Sequence, residues 1–128
     1  MKIVILGNPK SDNTLYGHRA FGKRVLRYLT QAGRDYHDLC AKAIPEGTKL
    51  LINPLKIDIS VYFGDKRKRD IQGHLKAICD GFNKVLYDDD SQIIEMRARK
   101  FYDKANPRSE IIIEEIILEH NSQQLTLP

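Results

Sequence analysis

Residues 55–86, LKIDISVYFGDKRKRDIQGHLKAICDGFNKVL, change their hydrophobic period once and carry a charge cluster at the change. From Leu55 to Phe63, the residues Ile57, Ile59, Val61 and Phe63 alternate with Asp58, Ser60 and Tyr62, the period of a half-buried strand. Gly64-Asp65 ends that pattern, and Lys66, Arg67, Lys68 and Arg69 run directly into Asp70. From Ile71 the apolar residues fall at Ile71, Leu75, Ile78, Phe82, Val85 and Leu86, one stripe of a helix that Asp70 is placed to cap. Gln72, Lys76, Cys79 and Asn83 form an adjoining stripe, where side chains can line a cleft beside the buried face.

Outward from this segment, Ile3-Val4-Ile5-Leu6 reads as a first strand closed by Gly7-Asn8-Pro9. Residues 10–24 have no sustained period and read as a long, polar, basic loop holding Asn13, Tyr16, His18 and Arg19, followed by a short strand at Val25–Leu29. Thr30 is placed to cap a helix reaching about Ala43, with Ala32, Tyr36, Leu39 and Ala43 on one face and Pro45 and Gly47 beyond its end. Ser91–Tyr102 alternates again, Ala105-Asn106-Pro107 supplies a turn, and Glu110–Glu119 is an isoleucine-rich strand, so the last two strands are expected to form a hairpin. The isoleucines at 111, 112 and 113 point to both faces, which suits an interior strand or one covered by a partner. The pattern predicts an α+β fold: a small mixed sheet with two principal helices, in a single domain over 1–128 with 121–128 as a flexible tail.

The chain has 128 residues, 41% hydrophobic and 30% charged, which is the composition of an ordinary globular domain. Its net charge of +4 matters because the cations cluster, at Lys66–Arg69, at Arg19, Lys23, Arg24 and Arg27, and at Arg97, Arg99 and Lys100. Cys40 and Cys79 lack metal-ligand spacing and read as reduced, partly buried thiols, and zinc is not expected. Histidines 18, 37, 74 and 120 show no ligand spacing either and are expected at the surface or in loops. The apolar run after Met1-Lys2 is too short for a signal segment or a membrane span, so a cytoplasmic location is expected, with nucleoid association when DNA is bound.

A basic run attracts a polyanion, and carboxylates that converge can hold a divalent cation. Asp88-Asp89-Asp90 lies just past the helix that Asp70 opens, at the end where negative charge opposes the macrodipole, so helix stability gives no reason for it. A capping Asp70 and a solvated acidic turn are the plain alternatives. With Lys76 between them, the set describes a metal-dependent enzyme acting on nucleic acid. The chain resembles the RusA-type Holliday junction resolvases over nearly its whole length. The likeness is most specific in Arg67-Lys68-Arg69-Asp70-Ile71, Lys76 and Asp89-Asp90-Ser91-Gln92, and Asn8–Asn13 with Tyr16 look like the family's N-terminal loop.

That resemblance implies a homodimeric, Mg2+-dependent endonuclease, with Mn2+ as a substitute, acting on four-way junction DNA in recombination and repair. It implies metal ligands at Asp70 and Asp90 with Asp89 assisting, a catalytic lysine at Lys76, and DNA contacts from Lys66, Arg67, Lys68, Arg69, Asn13, Tyr16 and Arg19. Where the family usually has a second aspartate this chain has Gln72, and Gly73 replaces a usual asparagine. A glutamine carbonyl can ligate a hard cation but brings no charge, so weaker metal binding is expected. The other readings are a catalytically silent junction binder, a general DNA- or RNA-binding domain without junction preference, and a targeting signal in Lys66–Arg69.

Overall fold

The computed structural model describes residues 1–117. The expected 121–128 tail and the end of the 110–119 strand lie outside them. The elements run β1 (Lys2–Leu6), α1 (Asp12–Leu15), β2 (Tyr16–Phe21), β3 (Arg24–Leu29), α2 (Gln31–Ala43), β4 (Leu55–Phe63), α3 (Ile71–Phe82), a 3-10 turn (Asp90–Gln92), β5 (Ile93–Tyr102) and β6 (Arg108–Glu115). This is the α+β architecture expected, with α2 and α3 as the principal helices and α1 a single turn.

The main sheet has the order β1-β6-β4-β5 and is mixed, since β5 runs parallel to β4 while the other neighbours are antiparallel. Strand β4 alternates because one of its faces is the core: Leu55, Ile57, Ile59 and Val61 are fully buried and cluster with Ile111 and Ile113 of the adjacent β6 and Ile3 and Ile5 of β1 beyond it. Tyr36 and Cys40 of α2 and Ala77, Ile78 and Phe82 of α3 complete that cluster. The opposite face is open and carries Val4 and Ile112 among ion pairs such as Arg99–Asp58 (3.2 Å) and Arg108–Glu110 (2.6 Å). Ile112 is therefore the exposed one of the three isoleucines, and β6 is an interior strand.

Six expectations are corrected. Strands β5 and β6 do not pair as a hairpin, because β4 lies between them and bonds to both. The chain passes over the end of β4 instead, where the Asp103 N–H donates to the Phe63 carbonyl (2.8 Å). Residues 10–24 are not a loop, because α1 and a two-stranded hairpin of β2 and β3 occupy them and continue to Leu29. Nearly every side chain of that hairpin is exposed on both faces, so no burial pattern marks it in the sequence. In α2 the buried stripe is Gly33, Tyr36 and Cys40, leaving Leu39 and Ala32 exposed. Helix α3 stops at Phe82 and Lys84 takes a positive φ of 70°, which leaves Val85 exposed while Cys79, placed on the cleft side by spacing, is buried. His74 is also buried, at 6% exposure.

Helices α2 and α3 meet closely at Gly81, where an added Cβ would lie 2.5 Å from Cys40 Sγ. Gly81→Ala is expected to cost about 1–3 kcal/mol, the usual penalty for overpacking, read as a lower urea midpoint at unchanged m-value. An unchanged midpoint would mean the helices separate freely. Both thiols are free and buried, and burial pushes Cys40 up to about 12 and Cys79 up to about 11. The thiolate is the reactive form, so neither is expected to react with a maleimide at pH 8 until urea unfolds the chain.

Candidate active site

The start of α3 and the N-terminal loop face each other across an open cleft of about 750 Å³. The loop contributes Pro9 to Thr14, and α3 contributes Gln72, Gly73, His74 and Lys76 behind the capping Asp70, with Arg67 and Arg69 at the rim. Asp70 does cap the helix, since its Oδ1 accepts the Gln72 backbone N–H at 3.2 Å. Its Oδ2 accepts no hydrogen bond from the described residues. Lys76 is more than half exposed, with its Nζ 3.9 Å from Asp12 Oδ2, and Asp70, Gln72 and Lys76 line one cleft.

His74 fixes the width of this cleft. Its Nδ1–H donates to the Lys10 carbonyl (3.0 Å), and its ring packs edge-on against Phe63 with centroids 4.8 Å apart. Burial holds its pKa below the usual histidine value, with the Arg69 charge acting in the same direction and the Lys10 bond opposing. A neutral imidazole donating from Nδ1 therefore ties the N-terminal loop to α3.

The basic run is only partly free. Arg69 reaches Asp65 Oδ1 at 2.7 Å and stacks over the Phe63 ring at 4.5 Å, which leaves its side chain one-fifth exposed. Hydrogen bonds from Arg69 and from the Arg67 backbone hold the Asp65 carboxyl well below the usual carboxylate range. Lys66 lies over the Tyr102 ring at 5.1 Å, and Lys66, Arg67 and Lys68 stay exposed. Arg69 thus shapes the loop that presents the other three.

The hairpin extends the cleft. Tyr16, His18 and Arg27 line a second hollow together with Asp12, Asn13 and Lys76. Arg27 stacks on the Tyr16 ring at 3.5 Å, and the Tyr16 hydroxyl donates to Asp80 Oδ2 at 3.1 Å. Burial first, then the Asp80 charge, pushes the Tyr16 phenol up to about 12. Alternation along β2 sends Arg19 to the other face, beside Phe21, Leu26 and Tyr28, away from Lys76. Sequence spacing does not single out Asp12, His18 or Arg27 as site residues. Pairing 16–29 as two strands places His18 opposite Arg27, the one signal that brings them together.

The acidic turn sits elsewhere. Asp88 pairs with Lys84 (3.2 Å), and Asp89 caps the 3-10 turn in a reciprocal box with Gln92, whose amide also donates to the Leu51 and Asn53 carbonyls. These roles explain two of the three carboxylates. Asp90 is exposed and unpaired among the described residues, and its charge acts on Cys79 in the last part of α3 and on Tyr87 beyond it. None of the three lines the cleft at Asp70. Among the described residues no three His, Cys, Asp or Glu side chains converge closely enough to hold a metal.

The donors in the cleft nonetheless suit one kind of ion. They are carboxylate and amide oxygens with no sulfur, which favours a hard cation such as Mg2+ or Mn2+. A basic, oxygen-lined cleft at one helix end suits a phosphate-bearing ligand together with a hard cation. The chain matches the family described as Endodeoxyribonuclease RusA over residues 7–114, and it belongs to that family. Among its relatives, the "Uncharacterized protein YqaN" of Bacillus subtilis (strain 168) is 37% identical over 91% of this chain and 96% of its own. "Crossover junction endodeoxyribonuclease rusA" of Enterobacteria phage 82 is 31% identical over 88% of this chain and 93% of its own. "Crossover junction endodeoxyribonuclease RusA" of Escherichia coli (strain K12) is 30% identical with the same coverage. No helix among the described residues is long and apolar enough to cross a membrane.

His74→Ala is expected to lower stability by roughly 1–3 kcal/mol and to expose residues 8–14 to proteolysis, since it removes a buried donor and its packing. His74→Phe should restore the packing but not the loop's protection. Protease resistance equal to the parent in both variants would show that the Lys10 bond holds nothing in place.

Proposed function

We propose that this chain is a divalent-metal-dependent, structure-selective endonuclease that resolves four-way DNA junctions by paired nicks in recombination and repair. The observation that carries the reading is the shared cleft: Asp70, the cap of α3, and Lys76 in its second turn open beside the basic Arg67 and Arg69. Membership of the family and the printed activity of the phage and Escherichia coli relatives support it.

Exposed Lys66, Arg67 and Lys68 attract the phosphate backbone, and Asn13 and the hairpin cation Arg27 extend that track past Lys76. Asp70, with the Gln72 carbonyl, holds the cation, which when bound supplies an activated water and stabilises charge on the phosphodiester. Lys76 places an ammonium where it can neutralise charge developing on the phosphate oxygens. Asp90 is proposed as a further ligand presented by the Asp89 cap. Since it does not line the cleft within one chain, its part requires the turn and the cleft to be brought together on DNA or between two copies. Homodimerisation is proposed on two-fold matching of protein and junction, with a cytoplasmic location and association with the nucleoid through DNA.

With an end-labelled four-way junction in Mg2+, the chain is expected to make symmetric nicks and to leave a linear duplex intact. Lys76→Met should cut at least about 100-fold more slowly while binding the junction as before, because the residue acts on developing charge. Gln72→Asp should cut faster with little change in DNA affinity. Gln72 itself favours a second reading, a junction-binding protein without cleavage. Salt-sensitive junction binding with no nicks in Mg2+ or Mn2+ would establish that reading and contradict the first.

A further inference from the structure

Nothing in the sequence pattern gives Asp12 a role, yet among the described residues it is the one other carboxylate in the cleft of Asp70 and Gln72. Its place in the first turn of α1 accounts for little, because that helix has only four residues. Its side chain accepts no hydrogen bond from the described residues, and its one ion pair among them, to Lys76 Nζ at 3.9 Å, is long and has the Lys76 end more than half exposed. Exposed pairs of this kind contribute little. The carboxylate is nevertheless held in place. Ser11 caps α1, the Thr14 N–H donates to the Ser11 carbonyl (3.0 Å), and His74 anchors the preceding Lys10 carbonyl (3.0 Å).

The helix beneath leaves room for it. A Cβ at Gly73 would stand 2.9 Å from Asp12 Oδ1 and 3.0 Å from Ser11 Oγ. Gly73 is not among the residues of positive φ, so its backbone does not require glycine. Glycine inside a helix costs about 1 kcal/mol relative to alanine. What the missing side chain provides is space for the Asp12 carboxylate over the first turn of α3.

We propose that Asp12 supplies the carboxylate that α3 lacks at Gln72, so that the cation is held by acids from two segments, Asp12 at the start of α1 and Asp70 of the α3 cap. Gln72 then lends a neutral carbonyl, and Gly73 is small because Asp12 must approach. This rests on the metal-dependent reading above. Two acids flanking a neutral oxygen donor retain a net charge of −2, against −1 for Asp70 alone, and hard-cation affinity tracks ligand charge. Lys76 then lies beside the bound ion's ligand, close to where a phosphate oxygen would meet it.

The test is Mn2+ titration of the full chain without DNA, monitored by calorimetry and by the electron paramagnetic resonance of free Mn2+, with junction cleavage measured in parallel. Asp12→Asn is expected to weaken Mn2+ binding about tenfold or more, with an unchanged melting temperature. The double variant Asp12→Asn/Gln72→Asp should recover that affinity, because the charge returns from the helix side. Gly73→Ala changes no ligand and adds helix propensity, yet it should also weaken Mn2+ binding by crowding Asp12. Mn2+ affinities of Asp12→Asn and Gly73→Ala equal to the parent's would overturn the assignment, and if the parent still nicks junctions the endonuclease reading survives it. A parent that neither binds Mn2+ nor cuts would overturn both.

Discussion

The parallel pairing of β4 with β5 governs where everything else can lie. Parallel neighbours cannot be joined by a tight turn, so the chain must cross a face of the sheet between them, and α3 makes that crossing with Ala77, Ile78 and Phe82 buried on the core side. The basic run ahead of α3 emerges at one end of β4, and the chain beyond α3 returns to the other end, where Leu55 pairs with Ile93. The basic run and Asp70 therefore stand at one end of a 12-residue helix and the Asp88–Asp90 turn beyond the other. At 1.5 Å per residue the helix alone spans about 18 Å. The separation of the two acidic groups within one chain is thus a consequence of topology.

The same crossing explains why the N-terminal loop belongs to the site. Strand β1 pairs with β6 from Lys2 to Leu6, and the Gly7 N–H reaches the Pro107 carbonyl at 3.0 Å, which turns the chain at the same end of the sheet as Phe63. Phe63 is the hub there. It carries Arg69 on its face and His74 at its edge, and His74 in turn takes the Lys10 carbonyl. Loop, basic run and helix start are joined through one aromatic ring and one neutral imidazole. The cleft between them is preorganised without any of its exposed carboxylates taking a structural role beyond the single cap at Asp70.

Much of this is legible in the residues. Strand β4 and helix α3 announce themselves by period, because each buries one side of a regular element against a single core, and helical spacing puts Gln72 and Lys76 on one stripe behind the capping Asp70. The hairpin is hidden because its side chains face solvent on both sides, so alternation carries no hydrophobic signal. The false pairing of β5 with β6 comes from a short turn that fits a hairpin, whereas a strand, a helix and a strand in succession equally describe a crossover, the arrangement found. His74 looks like a surface histidine because its partner is a backbone carbonyl 64 residues away. Asp12 is invisible for the same reason, since its relation to Gly73 exists only after α1 has been laid against α3. Gly73, in turn, reads simply as a lost asparagine.

The proposed chemistry requires a hard cation to bind in the cleft at the start of α3. Amide spectra of the 15N-labelled chain, recorded as Mn2+ is added in substoichiometric steps, locate the ion directly through paramagnetic broadening. Asp12, Asp70, Gln72 and Gly73 are expected to broaden first, while residues in the open face of the sheet stay sharp. Broadening centred on Asp88–Asp90 alone, with Asp70 and Asp12 unaffected, would contradict a cation site in this cleft.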